Sequence, residues 1–374
     1  MKKRVLFLGR FPPPIYGTSL MNENYYNSKV LNNSFELKRI RMNVAKEISS
    51  KERKNLHKII SGLINIKRIV SRLLEKPDLV YFDVTSRGIA FVRDSIYLMI
   101  IKLFGIKILV QFHSKGLKNE TKNKIKRDYY KLTFRNTKAI LLSELLYEDV
   151  DNLMSKNNVY FNPNGIEDVL TEKEFLGIQK NRKRKRKVRL IFLSNMLEAK
   201  GPMDVLKICK LLHRDKIDFE CFFVGDWEDE KFKNKWYDYL KDSGLQNKCK
   251  FVGPRYGEEK FSFLKEVDFL IFPTKYALEC YPLVILEALM FGIPVYTYDN
   301  GAIREIINRD YLGHIAKQGD YQDLYEELKK NINKPQKNKE IREYFKEKYI
   351  FDKAEERLKD IFERELSGAR EDVF

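Results

Sequence analysis

Short, uninterrupted apolar runs recur along this chain, and helical patterns separate them. Leu190-Ile191-Phe192-Leu193 and Phe269-Leu270-Ile271-Phe272 are the clearest. A strand that is apolar at every position has to be covered on both faces, which is the condition of a parallel sheet packed between helices. Runs of this kind alternating with helical patterns point to βαβ units and an α/β fold. In the first half, strands are expected over 5–9, 35–41, 79–84, 106–112, 139–143 and 159–162. Helices are expected over 19–31, 54–75, 89–104, 121–135 and 145–156. The second half repeats the scheme, with strands over 189–194, 219–224, 250–252, 269–273 and 295–298 and helices over 203–212, 229–241, 258–266, 282–291 and 302–308. Glu172 to Lys187 is charged without an apolar period and reads as a linker with a solvated basic loop. A chain of 374 residues then holds two doubly wound domains, 1–170 and 188–345, joined by 171–187. A helical segment, 346–374, closes the chain, and Ile341, Tyr344, Phe345, Tyr349 and Phe351 anchor the region around its start. Ligands of such sheets bind beyond the carboxyl ends of the strands, so a cleft between the domains is the expected site.

Charge separates the halves. The net charge is +18, and residues 1–170 hold 31 basic against 16 acidic side chains. The remainder holds 40 against 37, six of its basic residues in the run Arg182-Lys183-Arg184-Lys185-Arg186-Lys187. A partner of the first half is therefore expected to be anionic, a membrane surface or nucleic acid, although a solvated lysine-rich surface would carry the same charge. No aromatic-basic recognition motif accompanies the charge, which weighs against nucleic acid. The apolar stretch 89–112 is broken by Arg93, Asp94, Lys102 and Lys107, and Val5–Gly9 is too short for a secretion signal. A soluble or peripheral protein is expected. Cys209, Cys221, Cys249 and Cys280 have neither CxxC nor zinc-ligand spacing and read as buried reduced thiols. His57, His213 and His314 lack partners at ligand spacing. Asp226-Trp227-Glu228-Asp229 reads as a solvated strand-end loop, and no metal is expected.

The stretch Glu279-Cys280-Tyr281-Pro282-Leu283-Val284-Ile285-Leu286-Glu287-Ala288 follows a strand and opens a helix. Pro282 suits the first helical position, where its missing N–H would have no partner. Amides around Tyr281 and Leu283 would then form an anion site at the helix start. Glu279 and Glu287 flank that site, and each carboxylate can accept two hydroxyl hydrogen bonds. An acid favoured by the helix dipole plus an exposed glutamate would explain the same spacing.

Glu279 and Glu287, followed by Ala-Leu-Met-Phe-Gly-Ile-Pro-Val, resemble the signature of glycosyltransferase family 4, the retaining GT-B enzymes. Phe7-Leu8-Gly9 with Pro12-Pro13-Pro14 and Gly17-Thr18 resembles that family's first strand and its acceptor-side loop. Gln111-Phe112-His113, Asn162-Pro163-Asn164-Gly165-Ile166, Phe192-Leu193-Ser194-Asn195 through Lys200-Gly201, and Phe223-Val224-Gly225 match in the same order. The likeness runs from about residue 4 to 330. It implies a GT-B fold of two Rossmann-like domains facing a cleft, with a C-terminal helix packing back on the first. It also implies a nucleotide-sugar donor as substrate, no metal cofactor, and transfer to a glycan with retained anomeric configuration. Lys200 would neutralise the donor diphosphate, Glu279 would hold hydroxyls of the transferred sugar, and His113 would contact that sugar as the domains close. Glu287 would hold the ribose; Ser194, Asn195, Tyr281, Pro282, Leu283, Gly17 and Thr18 complete the implied donor site. Ser194-Asn195 stands where many members have Gly-Arg, so one diphosphate cation is absent. Cys280-Tyr281-Pro282 replaces the usual Gly-Phe-Gly. With the basic first half, the resemblance implies a lipid-linked acceptor at the inner face of a bacterial membrane and a place in surface polysaccharide synthesis. A GT-B epimerase or phosphorylase, or a nucleic-acid-binding protein, are the competing readings.

Overall fold

The first strand, β1 (Lys3–Gly9), is buried from Val5 to Gly9, and it pairs in parallel with β2 (Phe35–Arg41) and β3 (Leu79–Asp83). These pairings come from a computed structural model that describes residues 1–42, 51–183 and 187–367, with backbone only for 51–59 and Lys183. The chain divides into two compact units, Met1–Asn164 with Asp352–Phe374, and Gly165–Phe351.

In the first unit β4 (Lys107–Gln111), β5 (Lys138–Leu141) and β6 (Val159–Phe161) extend the sheet to the order β2-β1-β3-β4-β5-β6. Every pairing is parallel. The C-terminal helix Phe351–Ser367, all but its first residue in this unit, packs against the sheet. Phe362 meets Phe7, Phe35 and Tyr81 at ring-centroid distances of 6.1, 5.6 and 5.8 Å. Arg357 donates to Asn162 Oδ1 at 3.0 Å and to the Pro163 carbonyl at 2.9 Å.

The second unit has β7 (Val188–Leu193), β8 (Phe219–Val224), β9 (Cys249–Gly253), β10 (Phe269–Phe272), β11 (Val295–Tyr298) and β12 (Gly313–Ala316). Their order is β12-β11-β10-β7-β8-β9, again wholly parallel. Leu190–Phe192 and Leu270–Ile271 are completely buried, as continuous apolar strands should be. The four cysteines are buried and free of disulfides.

Several expectations need correction. The charged stretch expected as a linker contains a helix, Glu172–Lys183, within the second unit. It starts with reciprocal bonds between Thr171 and Glu174, the Thr171 N–H donating at 2.8 Å and Thr171 Oγ1 accepting at 3.3 Å. Phe175, Ile178 and Arg182 lie on its buried face. Arg182 donates to the carbonyls of Phe291 at 3.0 Å and Leu264 at 2.6 Å, and burial pushes its guanidinium down to about 10. A buried charge thus hid the apolar period. Arg184, Lys185 and Arg186 of the basic run, and the side chain of Lys183, lie outside the described residues. The helix expected over 19–31 breaks at Ser28, whose hydroxyl accepts from the Leu31 N–H at 3.0 Å and caps a new helix, Lys29–Ser34. Residues 145–156 form 3₁₀ turns at Glu144–Asp149 and Lys156–Asn158 rather than one helix. The edge strand β12 and the helix Tyr321–Asn331 that follows it had no counterpart in the sequence reading.

Candidate functional site

In the second unit, the loops leaving the carboxyl ends of β7 and β10 bring Lys200 and Glu279 together. Lys200 Nζ lies 2.7 Å from Glu279 Oε2, and both side chains are largely buried. The same carboxylate oxygen accepts from Thr274 Oγ1 at 2.9 Å. Lys200 also sits 4.6 Å from the ring centroid of Tyr276, an approach at which a ring face attracts a cation.

Two glycines make this convergence possible. Gly201 adopts φ +88°, and a Cβ there would stand 2.2 Å from the Pro273 carbonyl oxygen. The Lys200 turn can therefore press against the end of β10 only without a side chain. Gly301, at φ +58°, sits under the Glu279–Cys280 backbone, where a Cβ would approach the Glu279 carbonyl to 2.5 Å. The Ala302 N–H donates to the Cys280 carbonyl at 2.9 Å, and Asn300 Nδ2 donates to the Tyr276 carbonyl at 2.9 Å. The segment bearing Glu279 is thus held from below by the loop after β11.

The helix after Glu279 spans Leu283–Met290. Pro282 is its N-cap, with φ −71° and ψ 119°, and not its first helical residue as expected. The Pro282 carbonyl accepts from the Ile285 N–H at 3.2 Å, so the helix begins one position later. Leu283 and Val284, half-buried, occupy its first turn. Tyr281 is buried, its ring centroid 6.4 Å from that of Tyr349. Glu287 is not an exposed glutamate: its side chain is 13% exposed and Oε1 lies 2.5 Å from Lys260 Nζ.

Ser194 and Asn195 follow β7. Asn195 is exposed and donates from Nδ2 to Glu228 Oε1 at 2.9 Å, and the Ser194 N–H donates to the Val224 carbonyl at 3.0 Å. Each acid of 226–229 has a local partner: Asp226 accepts from the Trp227 N–H, Glu228 from Asn195, and Asp229 caps a helix through the Lys231 N–H. Among the described residues, no group of three or more His, Cys, Asp or Glu is placed to hold a metal ion.

Further cations approach the Lys200 turn. Lys275 Nζ, exposed on the loop after β10, lies 2.8 Å from buried Asp204, which also accepts from Lys207 at 2.8 Å and from Tyr298 OH at 3.1 Å. Burial works against the Asp204 carboxylate, but these cations outweigh it and hold its pKa below the usual range.

A second polar cluster lies in the first unit, at the carboxyl ends of the adjacent strands β1, β3 and β4. Asp83, buried, takes a fork from Arg10: Nε to Oδ2 at 2.8 Å and Nη2 to Oδ1 at 2.5 Å. Asn22 Nδ2 adds a bond to Oδ2 at 2.9 Å and another to the Arg10 carbonyl at 3.0 Å. Gly17 and Thr18 open the helix that carries Asn22, Gly17 exposed and Thr18 half-exposed. His113, two residues past β4, feels both charges of the pair. Its Nε2 is shielded from solvent without a hydrogen-bond partner among the described residues. Burial and Arg10 push the imidazole down to about 4 against the opposing pull of Asp83, so it is neutral near pH 7.

A stability prediction follows. The unfolded His113 takes up a proton near pH 6.5, whereas the folded one resists until about pH 4. Between those values the unfolded chain binds more protons, so stability falls as the pH is lowered through that window. The loss from this residue reaches on the order of 3 kcal/mol. A His113→Asn variant should show a correspondingly shallower decline in urea unfolding free energy between pH 6.5 and 4, and a slope equal to wild type would refute the assignment.

Arg10, Asn22, Asp83, Lys260, Thr274, Asp204 and Lys275 were not among the expected site residues. Asp83 carries the most readable signal, an acid closing a wholly apolar strand.

Residues 175–348 match the model of the family described as Glycosyl transferases group 1. The amylovoran biosynthesis glycosyltransferase AmsK of Erwinia amylovora is 28% identical over 141 residues, 37% of this chain and 34% of AmsK. This match thus spans about a third of that relative's length. An uncharacterized glycosyltransferase of Methanocaldococcus jannaschii is 23% identical over 354 residues, 92% of this chain and 87% of that protein. Among solved structures, HepE of Anabaena in complex with UDP and glucose superposes with a TM-score of 0.72 at 15% identity, over 96% of this chain and 99% of that one. This likeness over nearly the whole chain, together with the two six-stranded parallel sheets, places the chain in the GT-B fold class.

Proposed function

We propose that this chain is a glycosyltransferase of the group 1 type that moves a sugar from a nucleotide-sugar donor to a glycan acceptor, with Lys200, Glu279 and Glu287 at the donor. The single observation that carries the reading is the Lys200–Glu279–Thr274 cluster beyond the carboxyl ends of β7 and β10, inside the stretch that matches the family model. Where the donor diphosphate meets Lys200, the ammonium gains a second anionic partner and stabilises the charge that grows as the glycosidic bond breaks. Glu279 is held through Oε2 by Thr274, which leaves Oε1, without a hydrogen bond among the described residues, for sugar hydroxyls. The amides at the start of the Leu283–Met290 helix add a positive end for phosphate.

The reaction is a front-face displacement: the acceptor hydroxyl oxygen bonds to the anomeric carbon, the carbon–oxygen bond to the diphosphate breaks on the same side, and the hydroxyl proton passes to the departing phosphate. The configuration is retained. HepE was solved with UDP and glucose, and WaaB, another protein of this fold, is described as a lipopolysaccharide outer core galactosyltransferase. A uridine diphosphate sugar and a lipid-linked glycan in surface polysaccharide synthesis, at the inner face of a membrane, are the substrate classes and place we assign. No metal ion is needed for the scheme, because Lys200 and the helix amides meet the phosphate charge.

A thermal-shift panel of nucleoside diphosphates and their sugars tests the donor. A donor at a hundred times its Kd should raise folding stability by about 2.7 kcal/mol. No shift with any of them would overturn the reading. Incubation with the donor so identified and a lipid-linked acceptor should give a product whose anomeric coupling matches the donor's. Recovery of only an isomer or a sugar phosphate would replace transfer with epimerisation or phosphorolysis.

Glu287 gives a separate expectation. Glu287→Gln should raise the donor KM roughly tenfold, about 1.4 kcal/mol, with kcat little changed, because ribose contacts persist from ground state to transition state. Steady-state kinetics over a donor titration reads this, and an unchanged KM would remove Glu287 from the donor site.

A further inference from the structure

The three helices that cover one face of the first sheet are apolar on both sides. Right-handed crossovers fix their placement: β2 to β3, β3 to β4 and β4 to β5 all step in the same direction across the sheet, so their connecting helices lie on the same face. These are Lys51–Leu74, Gly88–Leu103 and Lys124–Phe134. Contacts confirm that they adjoin. Tyr97 OH donates to the Gly62 carbonyl at 3.3 Å, and Phe91 stacks on Tyr130 at 3.8 Å between centroids.

Their inward stripes, such as Phe91, Leu98, Tyr130 and Phe134, form the core. Their outward stripes repeat at helical spacing and are also apolar: Ile89, Val92 and Ile96, then Ile125, Tyr129 and Leu132. Ile89 is 89% exposed and Leu103 85%. Of the 20 large hydrophobic side chains exposed among the described residues, 12 lie on these helices or at their ends. An exposed apolar face of this concentration marks an interaction surface.

Charge names the partner. Over 60–76, 87–104 and 122–135 the sequence holds thirteen basic and three acidic residues. Lys67, Arg68, Lys122, Lys124, Lys131 and Arg135 are exposed there. Asp94, one of the three acids, is buried. Two copies of such a face would repel each other, whereas an anionic bilayer meets both of its chemistries. No described helix is long and apolar enough to cross a membrane, so the contact is interfacial. Beside Leu132, a cavity of about 590 Å³ combines Lys131 and Arg135 with Leu153 and Met154, which suits one anionic headgroup and the start of its chain.

We infer that the layer formed by the helices Lys51–Leu74, Gly88–Leu103 and Lys124–Phe134 docks on an anionic lipid surface, apolar side chains entering the headgroup region and basic ones meeting lipid phosphate. This deepens the proposed function by naming the face that meets the membrane, and its test does not depend on transfer.

The protein is mixed with vesicles of phosphatidylcholine alone or with about a third phosphatidylglycerol, at low salt, and binding is read by flotation. Wild type should float with the anionic vesicles and not with the neutral ones. Ile89→Asp with Leu103→Gln, both at exposed positions, should lower the partition at least about tenfold. Lys124→Glu with Lys131→Glu should lower it by a similar factor, since each cation near such a surface contributes appreciably to binding. Lys231→Glu with Lys241→Glu, the same charge change in the second unit, should leave it unaltered. Circular dichroism and the donor-induced thermal shift check that each variant is folded, so a fault in the donor reading would show there and not in flotation. Binding that survives the apolar pair, or an equal loss in the second-unit control, would overturn the inference. So would dimerisation in sedimentation that Ile89→Asp/Leu103→Gln abolishes, because the face would then belong to a second copy.

Discussion

Lys200→Ala should cut kcat for sugar transfer by roughly a hundredfold or more, about 2.7 kcal/mol, which is the typical loss when one donor to a developing oxyanion is removed. The effect should exceed that of removing Lys275, because Lys200 is buried beside the carboxylate whereas Lys275 is exposed and committed to Asp204. Stability should move as well. Glu279 is 7% exposed, and without Lys200 the side-chain partner its carboxylate keeps among the described residues is the neutral Thr274 hydroxyl. Stranding one member of a buried pair costs several kcal/mol at the limit, and residual solvent access here brings that to about 1–2 kcal/mol. The two consequences separate in a double variant. Lys200→Ala with Glu279→Gln should recover most of the melting temperature, since no buried charge is left unpaired, yet stay as slow as the single variant or slower. Chemical denaturation and initial-rate measurements on the four proteins of this cycle decide the matter. A Lys200→Ala protein with wild-type kcat would end the assignment of this cluster to the donor phosphates.

The ion pair itself was not legible in the chain. Lys200 and Glu279 lie 79 positions apart and each appeared as a separate ligand for the donor. Spacing shows which residues share a turn, and tertiary pairing depends on where two loops leave a sheet. Glu287 and Lys260 illustrate the same limit from a helix: a glutamate about one turn inside a helix looks solvated until another helix covers it. By contrast, the parallel pairing was foreseeable, because a run such as Leu190–Leu193 has no stable alternative to burial on both faces; the order of the strands was not. Thr171-x-x-Glu174 was a readable helix start as well, and the basic run after it obscured the signal. The apolar outer stripe of Gly88–Leu103 was visible only as hydrophobicity. Which of its faces stays exposed, that of Ile89 or that of Phe91, depends on how the helix is turned against the sheet, where Phe91 is buried and Ile89 is not.

The largest stability effect is expected at Asp83, in the unit the donor reading does not explain. Its carboxylate is buried at 2% exposure and is met by the Arg10 fork and by Asn22. Asp83→Ala would leave the Arg10 guanidinium largely enclosed and without its counter-ion, a change that costs about 3–5 kcal/mol. For a unit of this size, that corresponds to a fall of roughly 10 °C in Tm. Arg10→Met combined with Asp83→Leu should recover a good part of it, since a packed apolar pair replaces an ion pair at little cost. The acid response gives a second signature with a definite sign. Burial alone pushes the Asp83 carboxyl up, but Arg10's charge and hydrogen bonds outweigh it and hold the pKa below the ordinary 3.8. Its stabilisation is therefore complete above that value and disappears as the pH falls below it. His113 titrates earlier, between pH 6.5 and about 4, and in the same cluster. Acid unfolding of wild type should thus proceed in two limbs, with His113→Asn flattening the upper and Asp83→Asn flattening the lower. Removing Asp83 also takes away the anion that favours imidazolium, so the His113 pKa, followed by NMR, should fall further in Asp83→Asn. An imidazole that rises in that variant, or an Asp83→Ala protein that melts with wild type, would show that Arg10 and Asp83 do not form the pair that organises this end of the sheet.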